Sequence, residues 1–337
     1  MYYKASSMST PDNNLPQADY DVVIIGGAAA GLTAALYASR RAMRTLVLTK
    51  SLGGQAAMTP SIENYPGTKQ IGGIELMQNF LAHAQEYGAS IAYETVQKVE
   101  KNGDVFTVTS NAKSYTALTV ILAFGLTPRN LEVPGELEYQ GKGVTYCATC
   151  DAPLYKKKTV AVVGGTFEAL DAALFLAKLE ANVTLIHDKS GYPAYKKLFA
   201  EAEASSNITV RLNTRVTKVV GELVVSGIGL QAVGDDSAAE ELLPVQGVFV
   251  EKGHKIDSQW LGEMVEFTKG NAVVVDELKS TKTPGLFAAG DLTPQRDKQV
   301  VVSAGAGATA ALSAYTHIQK LSGKPTLLVD WEHTEDL

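Results

Sequence analysis

The pattern of apolar and small residues repeats along the chain. The β-branched run at 20–25 leads into a turn that opens with Gly26, and an Ala- and Leu-rich segment of helical character follows to residue 40. The run at 160–163 leads in the same way into a turn that opens with Gly164. A strand, a glycine turn and a helix in this order are typical of a dinucleotide-binding unit, in which backbone N–H groups hold a pyrophosphate. The repeat therefore predicts two such units in one chain.

The two glycine turns differ in how well they match this motif. The first reads Gly26-Gly27-Ala28-Ala29-Ala30-Gly31, with Ala28 in place of the usual middle glycine. The second carries Thr166 and Phe167 where glycine would let a pyrophosphate come close. Because both side chains add bulk there, we expect the second turn to bind a nucleotide less well than the first.

The two cysteines of the sequence, Cys147 and Cys150, are separated by two residues and followed by Asp151. Two thiols at this spacing can close a small disulfide ring, and one thiol pKa tends to be lowered, which favours the thiolate needed for exchange chemistry. Asp151 could relay protons. The alternatives are half of a zinc site or a pair of inert thiols. Zinc takes about four ligands, whereas the sequence has no second Cys pair and its five histidines are scattered. We therefore predict a redox pair and no metal site.

A third motif lies late in the chain. An apolar stretch at 286–289 leads into Gly290 and Asp291, and a segment rich in Ala and Gly follows at 301–315. Small residues let a helix lie close to a cofactor or to another backbone. A carboxylate at a strand end, such as that of Asp291, could accept a hydrogen bond from a ribose or ribityl hydroxyl.

Charge and composition exclude two classes of partner. The 337 residues carry a net charge of -6; a nucleic-acid surface needs a basic face, so we expect no nucleic-acid partner. The apolar runs are too short to cross a bilayer, so we expect no membrane span. The sequence has neither a disulfide framework nor an apolar signal core, which predicts a cytoplasmic protein. We expect a disordered tail at 1–19 and a C-terminal tail at 326–337.

These motifs together resemble those of the low-molecular-weight thioredoxin reductases, which are FAD-dependent pyridine nucleotide-disulfide oxidoreductases. The resemblance runs from about residue 20 to 319, and its most specific piece is Cys147-Ala148-Thr149-Cys150-Asp151. The other pieces occur in the order and spacing of the family: the first glycine turn, Gly53-Gly54-Gln55, Glu63-Asn64-Tyr65-Pro66-Gly67, Ala123-Phe124-Gly125, Ala288-Ala289-Gly290-Asp291 and Lys298-Gln299. The resemblance implies that FAD is bound by Gly26, Gly27, Ala28, Gly31, Gly54, Gln55, Asn64, Gly125, Gly290, Asp291, Lys298 and Gln299.

The resemblance also implies an α/β fold of two Rossmann-like, three-layer domains, the second inserted into the first. An FAD-binding domain would comprise 20–128 and 255–325, and an NAD(P)-binding-like domain carrying the two cysteines would comprise 129–254. In the family the second domain swings, and the hinges would fall at 127–132 and 251–257. Family members commonly form homodimers, so a homodimer is implied here as well.

The resemblance assigns a role to each residue of the cysteine motif. Cys150 would lie against the flavin, Cys147 would attack the disulfide of a thioredoxin-like partner, and Asp151 would donate or accept the proton. The reduced flavin would pass two electrons to the Cys147–Cys150 disulfide, and the resulting thiolate would open the partner's disulfide through a mixed disulfide.

The departures from the family lie in the nicotinamide half. Members that use NADPH have two arginines directly after the histidine and a third a few residues later, which hold the 2′-phosphate. This chain instead has Asp188 after His187, and Pro193 further on. A carboxylate repels a phosphate and proline donates no hydrogen bond, so we expect that NADPH is not the electron donor.

Several other donors stay open. An acid at that strand end can accept from a 2′-hydroxyl, which is how NAD is preferred over NADP, and Lys189, Lys196 and Lys197 could replace the arginines. If nicotinamide binding is lost, relatives offer two precedents by resemblance: thioredoxin reductases that take electrons from reduced ferredoxin, and dithiol oxidases that pass electrons to oxygen. A flavoprotein that no longer turns over and serves as a redox sensor is a further alternative.

Overall fold

The computed structural model describes residues 15–59, 61–234, 239–256 and 258–324. Of the predicted N-terminal tail, 1–14 lies outside these ranges, as does the predicted C-terminal tail at 326–337. Along the chain the strands and helices are β1 (Tyr20–Gly27), α1 (Ala29–Arg40), β2 (Thr45–Leu52), α2 (Gly73–Glu86), β3 (Ser90–Ala92), β4 (Val96–Asn102), β5 (Val105–Ser110), β6 (Ser114–Leu122), β7 (Thr127–Pro128), β8 (Val144–Thr145), α3 (Ala148–Asp151), β9 (Thr159–Val163), α4 (Phe167–Lys178), β10 (Asn182–Ile186), α5 (Lys196–Ala204), β11 (Ile208–Arg211), β12 (Thr214–Gly221), β13 (Val225–Ala232), β14 (Glu241–Pro244), β15 (Gly247–Val250), β16 (His254–Lys255), β17 (Leu286–Ala288) and α6 (Val300–Leu321).

The described chain divides into two units. The first unit comprises 15–57, 63–126 and 256–324, and the second comprises 58–62 and 127–255. In the first unit, strands pair in the order β3-β2-β1-β6-β5-β4, and β17 pairs with the carboxyl half of β6. The pairs among β3, β2, β1, β6 and β17 are parallel. Strand β1 is buried from Val22 to Gly27, as expected of a parallel strand covered on both faces.

The second unit contains a parallel sheet of its own. Its strands pair in the order β11-β10-β9-β15-β8, and β12, β13 and β14 form a separate antiparallel sheet. Helix α4 packs with α5 on the parallel sheet, and its apolar face (Leu170, Leu174 and others) is buried in the core of this unit. The first sheet is parallel apart from its antiparallel β5 and β4 edge, the second is parallel, and both sheets with their helices confirm the predicted α/β class.

The two β-α-β segments repeat one another in register. Val22 of β1 pairs with Thr45 of β2, and Val160 of β9 pairs with Val183 of β10. The helices between them, α1 and α4, are both 12 residues long. The repeat predicted from the apolar pattern is therefore a repeat of structure, with the same strand offset in both copies.

Helices α1 and α6 approach closely because of a glycine. A Cβ on Gly307 in α6 would lie 2.0 Å from the carbonyl oxygen of Ala30 in α1. Gly305, two residues earlier, is exposed, and a Cβ there would meet nothing within 4 Å in the described chain. The small residues of α6 are thus divided between a packed face and an open one.

The long segment of the second unit, 127–255, begins and ends on neighbouring strands. Thr127 and Pro128 of β7 pair antiparallel with Lys255 and His254 of β16. No helix in the described residues is long and apolar enough to cross a membrane. The domain boundaries and the homodimer implied by the resemblance stay predictions.

Candidate active site

The first glycine turn requires close backbone packing. Gly26 has a φ of +123°, and a Cβ there would lie 2.3 Å from the carbonyl oxygen of Ala123, which follows β6. A Cβ on Gly31 would lie 1.8 Å from the carbonyl oxygen of Gly26. Ala28 is extended, with φ of -119° and ψ of -164°, a conformation open to any residue. Alanine therefore fits where the usual motif has its middle glycine.

The start of α1 presents uncapped backbone N–H groups. No side chain in the described residues caps it, and its first turn contains only uncharged residues from Ala29 to Leu32. Just before it, the N–H of Gly27 donates to Oγ1 of Thr49 at 3.0 Å. The first N–H groups of a helix have no partner inside the helix and attract an anion. These residues therefore fit the pyrophosphate of a dinucleotide such as FAD.

Asp291 is held near the same helix. Gly290 has a φ of +82°, and a Cβ on it would lie 2.9 Å from Cβ of Ala30 in α1. The Asp291 carboxylate accepts from Oγ of Ser303 at 2.9 Å and from Nε2 of Gln295 at 3.2 Å. Sequence reasoning missed both donors. They fix the orientation of a carboxylate that could accept from a hydroxyl of the bound cofactor.

Two other predicted cofactor residues contact the protein itself. Nζ of Lys298 donates to the carbonyl oxygens of Asp291 and Thr293, both at 2.8 Å, and burial lowers the pKa of this lysine. Nδ2 of Asn64 donates to Oε1 of Gln299 at 2.9 Å. These side chains hold the loop that follows β17, and their direct contact with FAD stays a prediction.

The last predicted cofactor residues lie in turns. Gly54 and Gly125 have positive φ values of +52° and +68°. Nε2 of Gln55 donates to the carbonyl oxygen of Leu126 at 2.7 Å. A Cβ on Gly125 would meet nothing within 4 Å in the described chain, so backbone conformation, not space, requires glycine there.

The second glycine turn is also tightly packed, but its helix start is capped. A Cβ on Gly165 would lie 2.1 Å from the ring of His187. At the start of α4, Oγ1 of Thr166 accepts from the N–H of Ala169 at 3.4 Å, and Glu168 lies in the first turn. A side-chain cap and a carboxylate both oppose an incoming phosphate. The second turn is therefore less suited to a pyrophosphate than the first.

A cavity of about 650 Å³ opens beside the second turn. It is lined by Leu131, Val133, Val163, Gly164, Gly165, Thr166, Ile186, His187, Asp188, Lys189, Thr214, Arg215, Val216, Thr217 and Lys252. The side chain of Phe167 is 49% exposed and packs edge-on against Tyr195, with ring centroids 6.0 Å apart. The expectation that the side chain of Phe167 occupies this crevice is therefore wrong. Thr166 does line the crevice, as expected.

The charges along the cavity are mixed. Oδ1 of Asp188 lies 3.0 Å from Nδ1 of His187, and the Asp188 carboxylate is largely exposed. Burial lowers the pKa of His187, so its ring is neutral at pH 7. Lys189, Arg215 and Lys252 supply positive charge, and Nη2 of Arg215 donates to Gln231 at 2.7 Å. Sequence reasoning missed Arg215 and Lys252, which come from segments distant in the chain.

The two cysteines form a disulfide at the start of α3. Cys147 precedes the helix, and its Sγ lies 3.3 Å from the backbone N–H of Cys150. A backbone N–H aimed at a sulfur favours the thiolate once the disulfide is reduced. The structure therefore brings the predicted redox pair together, in its oxidised form.

Asp151 lies buried at the end of α3. Its Oδ2 accepts a short hydrogen bond from Oγ1 of Thr145, while its Oδ1 is buried without a partner in the described chain. Burial raises the pKa of Asp151, and the Thr145 hydroxyl opposes that rise. Oγ1 of Thr145 also accepts from the N–H of Cys147 at 3.3 Å. Thr145, which sequence reasoning missed, thus links the acid to the first cysteine.

The fold and the disulfide together define a class of protein. A family model described as pyridine nucleotide-disulphide oxidoreductase matches residues 20–317. Two parallel-sheet units with glycine turns, one of them carrying a disulfide, are the features of a flavoprotein oxidoreductase of that class.

The relatives narrow this class. Thioredoxin reductase of Treponema pallidum (strain Nichols) is 40% identical over 307 residues, which cover 90% of this chain and 99% of that protein. The solved thioredoxin reductase of Streptococcus pyogenes MGAS5005 superposes with a TM-score of 0.83 at 32% identity, over 89% of this chain and 98% of that one. The ferredoxin-flavin thioredoxin reductase of Clostridium acetobutylicum gives a TM-score of 0.51 at 33% identity, over 90% and 99%. This chain belongs to the low-molecular-weight thioredoxin reductase family, which confirms the resemblance.

Proposed function

We propose that this protein is an FAD-dependent reductase of a thioredoxin-type protein disulfide, with electrons leaving through Cys150 and then Cys147. The observation that carries the proposal is the Cys147–Cys150 disulfide beside the buried carboxyl of Asp151. The uncapped start of α1 and the fixed Asp291 carboxylate support FAD as the cofactor.

Bound FAD would supply the electron pair that converts the disulfide to a dithiol. Cys147, as the thiolate, then attacks one sulfur of the partner's disulfide, which forms a mixed disulfide and releases a partner thiolate that takes up a proton. Cys150 attacks Cys147 in that mixed disulfide, which restores the internal disulfide and releases the partner as a dithiol. Asp151 holds the proton that is exchanged, because burial keeps its carboxyl protonated to higher pH than usual.

NADPH is a poor donor for this chain. Its 2′-phosphate would meet Asp188 at the carboxyl end of β10, and its pyrophosphate would meet a helix start already capped by Thr166 and followed by Glu168. Lys189, Arg215 and Lys252 lessen the repulsion but form no paired arginine clamp.

We favour a reduced ferredoxin as the donor, at two one-electron equivalents per disulfide. The support is the weakened second turn together with the similarity to a protein named as a ferredoxin-flavin thioredoxin reductase. NADH is the second candidate, because a carboxylate at the position of Asp188 can accept from a 2′-hydroxyl, and a cavity of about 650 Å³ adjoins it.

The test is anaerobic reduction of the flavin. The oxidised, FAD-loaded protein is mixed separately with NADPH, NADH and reduced ferredoxin, and the flavin absorbance is followed. We expect ferredoxin to bleach the flavin and NADPH to leave it unchanged. Rapid bleaching by NADPH would overturn the interpretation of Asp188 and Thr166, and bleaching by NADH alone would establish the second candidate.

A second step tests the reductase itself. Dithionite-reduced protein is offered a thioredoxin-type disulfide under argon, beside the Cys150→Ser variant. We expect transfer only by the unmodified protein. If neither protein transfers electrons, the redox-sensor alternative is favoured; if the reduced protein gives up electrons only after air is admitted in a separate sample, the dithiol oxidase alternative is favoured. A homodimer and a cytoplasmic location remain part of the proposal.

A further inference from the structure

A second buried carboxyl lies against the cysteine turn. Glu251 follows β15 and is 6% exposed, and its Oε1 accepts from the backbone N–H of Ala148 at 3.1 Å. Ala148 lies between the two cysteines in the sequence. The carboxyl of Glu251 therefore contacts the backbone of the turn that carries the redox pair. The proposed exchange chemistry uses Asp151 and leaves Glu251 without a role.

The backbone of Glu251 is also fixed from the other side. Its carbonyl oxygen accepts from Oγ1 of Thr166 at 3.0 Å. A Cβ on Gly164 would lie 2.0 Å from the same oxygen, so the glycine turn packs directly against it. With its main chain held by the glycine turn and its side chain held by Ala148, Glu251 cannot shift without moving the cysteine turn.

The protonation of Glu251 follows from its surroundings. Its pKa is raised to about 8, above all by burial; the N–H of Ala148 acts against this rise, and the charges of Glu168 and Asp171 on α4 add to it. At neutral pH the carboxyl therefore carries a proton. As the pH rises through this range it ionises and places a negative charge against the backbone of the turn that carries the two cysteines.

We propose that Glu251 is a positioning residue for the redox dithiol, which holds the Cys147–Cys150 turn through Ala148 and, when it ionises, opposes thiolate formation at Cys147. The proposal rests on the role of Cys147 as the attacking cysteine given above. Two neighbouring groups that both become negative titrate as a coupled pair. The formation of one anion therefore raises the pKa of the other.

Two substitutions separate the charge from the hydrogen bond. Glu251→Gln removes the charge and keeps an oxygen that accepts from Ala148. Ala148→Pro keeps the carboxyl and removes the N–H donor. Proline fits this position because it is the first residue of α3 and Cys147 before it is extended, with φ of -143° and ψ of 94°. Glu203→Gln, an exposed acid on α5, is the matched control.

The readout is the alkylation rate of Cys147 by iodoacetamide between pH 6 and 10, in full-length protein reduced with dithiothreitol, with the modified cysteine identified by mass spectrometry. This measurement needs neither FAD turnover nor a partner, so it is read separately from the proposed reductase activity. In the unmodified protein we expect the rate to rise in two overlapping steps. In Glu251→Gln we expect the upper step to disappear while the contribution of Asp151 stays, with a rate at pH 8 about threefold to tenfold higher.

Ala148→Pro has a different expected signature. Because the N–H of Ala148 lowers the pKa of Glu251, its loss moves the upper step to higher pH without abolishing it. A Glu251→Gln profile that matches the unmodified protein and the Glu203→Gln control would overturn the proposal. If Glu251→Gln does not fold, an upper step that stays at the same pH in Ala148→Pro would overturn it equally.

Discussion

The packing of α6 on α1 gives opposite predictions for two identical substitutions on one helix. Gly305→Ala adds a methyl group in open space, since nothing lies within 4 Å of that Cβ in the described chain. Gly307→Ala places a Cβ 2.0 Å from the carbonyl oxygen of Ala30. The neighbour at Gly307 is backbone and cannot rotate away, so the helices must separate by more than an ångström.

The magnitudes follow from these contacts. Alanine in a helix interior is more favourable than glycine by about 1 kcal/mol, so Gly305→Ala should raise the free energy of unfolding by that amount. Overpacking against a fixed backbone costs about 3 kcal/mol, so Gly307→Ala should lower it. The two variants should therefore differ by about 4 kcal/mol. Because Ala30 belongs to the start of α1, only Gly307→Ala should also weaken FAD binding.

The assay is urea unfolding followed by far-ultraviolet circular dichroism at a fixed FAD concentration, with FAD affinity measured by flavin fluorescence on the apoprotein. Equal stabilities of the two variants, or a stabilised Gly307→Ala, would refute the close approach of the helices. Unchanged FAD affinity in a destabilised Gly307→Ala would instead refute the placement of the cofactor at the start of α1.

Three further predictions concern the second unit. Thr145→Val removes a hydrogen bond to Asp151 that is worth about 1.5–3 kcal/mol, and its loss raises the pKa of this acid further. The pH profile of thioredoxin-type reduction should therefore move to higher pH, with a rate roughly tenfold lower on its acidic side. Cys150→Ser leaves Cys147 without its resolving partner, so a stable mixed disulfide with a thioredoxin-type protein should accumulate on non-reducing gels. Glu251 has a pKa of about 8 in the folded chain against an ordinary glutamate pKa of 4.5. The folded state binds more protons between these two values, so its stability falls as the pH rises through that window. Glu251→Gln should therefore be more stable at pH 7 by about 3 kcal/mol, measured by urea unfolding at pH 5 and 7.

Each of these predictions has an internal check. Thr209→Val, at an exposed position in β11, should leave the pH profile unchanged. Cys147→Ser should form no mixed disulfide, and equal trapping by both serine variants would contradict the order of attack. Identical stability of Glu251→Gln and unmodified protein at pH 7, with no difference in pH dependence, would contradict a protonated Glu251.

Short sequence patterns correctly predicted those parts of the molecule whose residues are neighbours in the sequence. The turns at Gly26 and Gly164 and the Cys147–Cys150 pair are short motifs with a physical requirement at fixed spacing, and the structure places each at the end of a strand or the start of a helix. The register of the repeat also followed from the apolar runs, since parallel strands buried on both faces are apolar throughout.

The residues that sequence reasoning missed lie far in sequence from the groups that they contact, and strand pairing brings them together. Glu251 reaches Ala148 across 103 positions because β15 lies beside β8 in the parallel sheet. Arg215 reaches the cavity from the antiparallel sheet. A short sequence motif does not show which distant residues will lie beside it in the folded chain. Phe167 failed for a different reason: the helix start turns its ring outward against Tyr195, and spacing alone does not give the direction of a side chain.

The pairing of β7 with β16 has a consequence for how such a chain can be altered. Because the segment 127–255 is entered and left through hydrogen-bonded neighbours, its two ends are already side by side, and closing the chain across them costs little loop entropy. We therefore expect the segment to be modular, so that a short linker or a homologous segment in its place should close the host chain without strain. A chain that lacks 127–255 and still binds FAD would show this modularity directly.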